Sequence, residues 1–154
     1  MRVVDAAVET VRPDGTASSV PVAKLHRLPG DTPEVETTLM PGELITAVTL
    51  PPPVPGVHVY RKVRDRASYT FATVSIAAVL VRDGSRIIAV RVAFGGLAPK
   101  PWRVVEAADA EIGRGVDATA DIALAGARPT EHNAFKLPLV RRTLAAAFAD
   151  AARS

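Results

Sequence analysis

"ATVSIAAVLVRDGSRIIAVRVAFGG", residues 72–96, decides the fold. Two runs of strand length, rich in β-branched residues, flank Asp83-Gly84, a pair whose tolerance of positive φ suits a tight hairpin. Successive strand side chains alternate between faces, so Val74, Ile76, Ala78 and Leu80 share one side of the first run. Thr73, Ser75, Ala77, Val79 and Val81 share the other. Small residues dominate that second set, and the sequence therefore predicts a sheet covered chiefly on one face. Upstream, "VHVYRKVR" (57–64) supplies a third strand, which makes residues 57–96 a three-stranded antiparallel meander.

Three helical patterns follow and supply the cover. Pro101 precedes "WRVVEAADAEIG", a first-turn position that suits proline, and Gly113 stands where that helix should end. Asp117 is placed to cap "ATADIALAGA", which Gly126 and Pro129 close. In "LPLVRRTLAAAFADAA", Leu137, Val140, Leu144 and Phe148 recur at spacings of three and four and form one apolar stripe. Strands followed by helices, between about 102 and 152, indicate an α+β two-layer sandwich.

A different texture precedes the meander. "VVDAAVETVRPDG" and "TASSVPV" read as short strands joined at Pro13-Asp14-Gly15, and "LITAVTL" (Leu44 to Leu50) reads as another. Between them "HRLPGDTPEVETTLMPGE" is too rich in proline and glycine for a helix or a central strand. Pro51 to Pro53 end the segment with a stiff, extended run that suits a hinge.

Composition narrows the function. With 154 residues, 48% hydrophobic and 23% charged, the chain is globular material for one or two small domains. It has no cysteine, which excludes disulfides, thiolate metal sites and cysteine-ligated iron–sulfur clusters in this chain. His26, His58 and His132 show no paired-ligand spacing. A net charge of +3 is spread along the chain, and 5% aromatic content is too low for a base-stacking platform, so nucleic acid is not an expected partner. No apolar stretch reaches the roughly 20 residues that span a bilayer, and the first residues lack the apolar segment of a signal peptide. The expectation is a cytoplasmic chain with no membrane partner. Phosphate-loop, dinucleotide-fold and nucleophile-elbow signatures are absent from the sequence.

Four ordered blocks carry a family resemblance: "LMPGELITAVTLP" (39–51), "YRKVRDRASYTFATVSIAA" (60–78), "AFGGLAPKPWR" (93–103) and "HNAFKLPLVRRTL" (132–144). Together they resemble the C-terminal part of the flavoprotein subunit of molybdenum hydroxylases, the xanthine dehydrogenase and carbon monoxide dehydrogenase class. "HRLPGDTP" (26–33) is further similar to the bacterial aldehyde-oxidising, xanthine-dehydrogenase-like branch. The resemblance implies that residues 1–53 are the tail of an FAD-binding domain, truncated here, and that 56–154 are the C-terminal α+β domain. It implies FAD as cofactor, a molybdopterin-binding large subunit and an iron–sulfur small subunit as partners, and an electron-relay role within an oxidoreductase.

The glycine-rich loops that cradle the FAD pyrophosphate in that family do not occur in this sequence. Weak or absent FAD binding by this chain alone is therefore expected, as is self-association through surface that the rest of the domain would cover. A non-catalytic assembly module is the alternative function.

Two residues are singled out by the resemblance. Lys62 maps to the lysine that approaches the flavin, and Ile45 to an apolar flavin contact from the "ELIT" strand. Read without the resemblance, Arg61, Lys62, Arg64, Asp65 and Arg66 suit a solvated strand end, with Asp65 partnering a neighbouring arginine for little stability. Arg61, Arg64, Asp65 and Arg66 stay open as interface charges. Tyr69 and Phe71 suit either packing or shielding of the flavin ring, packing being the reading preferred, and Trp102 suits a lid on the sheet or a partner contact. Gly95 and Gly96 are expected in a turn that side chains would obstruct.

Overall fold

The computed structural model describes residues 1–84 and 86–153. Ala7–Val11 (β1) and Ala17–Pro21 (β2) pair antiparallel, and Leu44–Thr49 (β3) pairs antiparallel with the other side of β1. At the turn between β1 and β2, Gly15 takes φ 84 and Thr16 N donates to Asp14 Oδ1 at 2.8 Å, so the expected turn forms. A short helix, Val22–Leu25 (α1), follows β2. Ala6, Val8, Val22 and Leu25 make a small core on one face of this sheet.

Thr10 shares that face and is buried, so its hydroxyl needs partners. It donates to a Glu43 carboxylate oxygen at 2.6 Å and lies 2.8 Å from Ser18 Oγ, while Met40 N donates to the other Glu43 oxygen at 2.9 Å. Bonding from Thr10, then from Met40, holds the Glu43 carboxyl below the usual carboxylate range. The long loop between α1 and β3 is likewise anchored: Arg27 N donates to Glu36 O and Thr38 N to Leu25 O, each at 2.9 Å.

The meander forms as the sequence indicates. Val57–Val63 (β4), Val74–Asp83 (β5) and Arg86–Gly95 (β6) lie in the order β4-β5-β6, all antiparallel. Val105–Arg114 (α2), Val116–Leu124 (α3) and Lys136–Arg153 (α4) pack against it. Val74, Ile76, Ala78 and Leu80 meet Val140, Leu144, Ala147 and Phe148 of α4 in one core that also holds Val92 and Phe94. Burying each large apolar side chain contributes about 1.5–3 kcal/mol, so this layer is the main source of stability.

Several local details differ from the sequence expectations. Pro101 does not open α2: Trp102 instead bridges Phe94, donating to its carbonyl at 2.9 Å and accepting from its N–H at 2.8 Å, which delays the helix to Val105. The helix then runs past Gly113 to Arg114 and ends at Gly115, whose φ of 89 favours glycine. Asp117 makes no side-chain cap, because α3 begins one residue earlier. The second face of β5 is not left open along its length either. A 3-10 turn at Arg2–Val4 sets Val3 against Val79 and Ala93.

That turn is held by charge. Asp5, itself in the left-handed region at φ 56, accepts from Arg103 Nη1 at 2.5 Å, Arg91 Nη1 at 3.2 Å and Arg2 Nη1 at 3.4 Å. Arg103 also donates to Arg2 O at 3.0 Å. The segment before β1 is thus fixed on the outer face of the second sheet. Burial first, then the neighbouring Arg103 cation, lowers the Arg2 pKa.

Candidate functional site

Strand alternation separates the charges at the end of β4. Arg61 lies opposite Ile76, on the face that meets the helices, and its guanidinium pairs with Asp150 of α4. Lys62 lies opposite Ser75, on the outer face, together with Tyr60 opposite Ala77. This is the same face against which Arg2–Val4 packs. Arg61 is therefore a structural tie, whereas Lys62 points to the side of the sheet that the first fifty residues approach.

The β4–β5 connection is shaped by its own side chains. Lys62 Nζ donates to Thr70 O at 2.9 Å, Thr73 Oγ1 donates to Asp65 Oδ1 at 3.0 Å, and Arg66 donates to Tyr69 O. Asp65 accordingly serves Thr73 rather than a neighbouring arginine. Among the described residues Arg64 has no side-chain partner.

Tyr69 adopts φ 52, uncommon outside glycine, asparagine and aspartate. The result is a turn that presents two rings outward: Tyr69 is 96% exposed and Phe71 95% exposed. Packing within this chain, the role preferred for them on sequence, is overturned by that exposure. Gly96 closes the same end of the sheet at φ 79, where a Cβ would stand 2.5 Å from Thr73 O.

Ile45 belongs to the other sheet. It lies opposite Thr10 and Val48 lies opposite Val8, so both are on the core face of β1, yet Ile45 is 49% exposed. The small core stops short of β3, and Leu44, Val48 and Leu50 are exposed beside it. β3 is an edge strand with an apolar face, which in a folded protein is ordinarily covered. Ile45 and Lys62 thus sit in different sheets, joined through the proline segment at 51–55. Gly56 ends that segment at φ 117, with Leu80 O only 2.4 Å from where its Cβ would be.

An ammonium, two outward aromatic rings and an uncovered apolar strand suit a flat, partly apolar ring system that gains negative charge, as a flavin does on reduction. The residues present fit that end of FAD. Phosphate recognition is another matter, since the sequence lacks glycine-rich loops of the family kind. Among the described residues no cluster of three or more histidine, cysteine or acidic side chains stands ready for a metal, and no helix is long and apolar enough to cross a membrane.

Residues 58–151 match the family of the CO dehydrogenase flavoprotein C-terminal domain. The aldehyde oxidoreductase FAD-binding subunit PaoB of Escherichia coli (strain K12) is 56% identical over 151 residues, covering 98% of this chain and 46% of that protein. The chain thus spans about half the length of this curated relative. Among solved structures, CO dehydrogenase from Oligotropha carboxidovorans superimposes with a TM-score of 0.84 at 23% identity, over 99% of this chain and 55% of that one. Quinoline 2-oxidoreductase from Pseudomonas putida 86 does so with 0.82 at 22%, over 99% and 54%. These two likenesses establish the shared α+β fold.

Proposed function

Because the chain belongs to the CO dehydrogenase flavoprotein C-terminal domain family, we propose that it is part of the FAD subunit of a molybdenum hydroxylase. In this reading electrons arrive from centres on a molybdopterin-binding large subunit and an iron–sulfur small subunit and leave to an external acceptor. Residues 1–53 are the end of an FAD-binding domain, and 56–154 are the flavoprotein C-terminal domain. The observation that carries the proposal is the placement of Lys62 on the outer face of the second sheet, tied to the turn that exposes Tyr69 and Phe71. FAD, when bound, supplies a reversible two-electron store in its isoalloxazine ring.

This chain's residues have separable tasks toward that ring. The Lys62 ammonium stabilises negative charge on it, and Thr70 O holds the ammonium in position. Ile45 offers apolar surface from the first sheet. Tyr69 and Phe71 exclude water from whatever lies against them. The uncovered β3 also suits association with another chain or a second copy.

The test is an FAD titration of the chain alone and together with a second polypeptide of the family that carries the glycine-rich loops. The proposal predicts negligible binding by the chain alone and stoichiometric yellow colour for the pair, because losing several charge-assisted hydrogen bonds at about 1.5–3 kcal/mol each removes a tight site. Submicromolar binding by the chain alone, or no colour from the pair, would overturn it. The likeness to an FAD-binding subunit weighs against the non-catalytic alternative.

A further inference from the structure

On the helical side of the second sheet, away from the face that carries Lys62, a cavity of about 210 Å³ opens between the end of β6, the α3–α4 link and the start of α4. Leu97, Trp102, Leu124 and Leu137 contribute apolar lining. The Trp102 Nε1–H is already used on Ala123 O at 3.1 Å, so the indole offers the cavity only apolar surface.

Its polar lining is one-sided in charge. Arg128 and Lys136 line the cavity, and no acidic residue does among those described. Lys136 Nζ gives one hydrogen bond to Gly96 O at 3.0 Å, which leaves two of its three donors. Among the described residues the Arg128 guanidinium has no partner. Asn133 also lines the cavity and accepts from Thr130 N at 2.7 Å through Oδ1.

We infer that the cavity is a binding site for a small amphiphilic monocarboxylate, a single ring or short alkyl chain ending in one carboxylate. Size and charge each argue for this class. A cavity of about 150 Å³ with apolar walls accepts one benzene ring, so the present one has room for a ring and its carboxylate. Two cations and no acidic residue on the described lining favour an anion over a neutral group, since charge-assisted hydrogen bonds are about twice as strong as neutral ones. This site uses none of the residues assigned to the flavin, and the inference stands or falls independently of that reading.

Trp102 is the sole tryptophan of the chain and lines the cavity, so its fluorescence reports occupancy. The full 154-residue chain is titrated with phenylacetate, hexanoate and, as the neutral isostere, phenylacetamide. A ligand of this size should saturate with a Kd on the order of 1 mM. Phenylacetamide should bind at least about tenfold more weakly, and Arg128→Gln should weaken phenylacetate about tenfold with an unchanged unfolding midpoint. Lys136→Met provides a second variant, on the other cation of the lining. No saturable change at about ten times the expected Kd, equal affinity for acid and amide, or unchanged affinity in both variants would each overturn the inference.

Discussion

Replacing Asp5 by asparagine tests how the first sheet's entry segment is held on the second. Asparagine keeps the tolerance for φ 56 and the side-chain shape, so the change removes charge and little else. Arg91 and Arg2 lie 3.2 and 3.4 Å from the carboxylate with half of Asp5 exposed, and such pairs contribute about 0–1 kcal/mol each. Arg103 differs, because its side chain is only 10% exposed and its other bond goes to Arg2 O. A largely buried guanidinium that loses its counter-ion costs about 1–3 kcal/mol, and solvent at Asp5 places the effect near the lower end. We expect Asp5→Asn to cost about 1–2 kcal/mol in total, and Asp5→Ala about 1 kcal/mol more because alanine disfavours the left-handed region.

Urea unfolding followed by Trp102 fluorescence, next to Arg103 in sequence, measures both. At about 1 M salt the Asp5→Asn difference should shrink, as the Debye length falls to about 3 Å. A variant as stable as the parent at low salt, or a loss independent of salt, would refute the reasoning.

Other expectations concern the sheet and its helices. Burial, partly offset by the hydrogen bond from Thr119, pushes the Glu111 carboxyl above its usual range. The folded state then binds the proton more tightly than the unfolded one, so stability falls as pH rises above about 4.3 and through the raised folded value. Glu111→Gln should abolish that loss and leave the protein at least as stable at neutral pH, which thermal unfolding against pH will show. Gly96→Ala should cost at least about 2 kcal/mol in urea, from the left-handed backbone at φ 79 and the approach to Thr73 O. Leu144→Ala, in the centre of the helix–sheet core, should cost about 2–5 kcal/mol in the same assay.

The meander was legible because β-branched runs of strand length flank Asp83-Gly84, which marks the turn. Of the stripe read on α4, Val140, Leu144 and Phe148 enter the core, their spacing matching one helical face, whereas Leu137 lines the cavity instead. What eluded the sequence are contacts between distant residues. The Phe94–Trp102 bridge delays α2, and the Arg2–Val4 turn covers Val79; both depend on backbone approach that local propensity does not encode. The Asp5 cluster gathers arginines from positions 2, 91 and 103, so no window of sequence contains it.

The candidate site was legible only in part. Lys62 was marked by the family resemblance, and its face follows from counting along β4. The exposure of Tyr69 and Phe71 was not legible, since apolarity in sequence does not say which body covers a ring. Their outward presentation follows from the turn that Arg66, Lys62 and Asp65 brace.

The central claim, that Lys62 faces the flavin, is tested most directly by potentiometric titration of the assembled flavoprotein with Lys62 intact and as Lys62→Ala. A unit charge at about 4 Å in surroundings of intermediate dielectric interacts by up to about 4 kcal/mol, and screening leaves a fraction of that. For a two-electron couple about 1.4 kcal/mol corresponds to about 30 mV. The account predicts that Lys62→Ala lowers the flavin potential by about 30 mV or more, because the lost cation stabilises the reduced ring, with flavin content unchanged. An unchanged potential, or a rise, would contradict it.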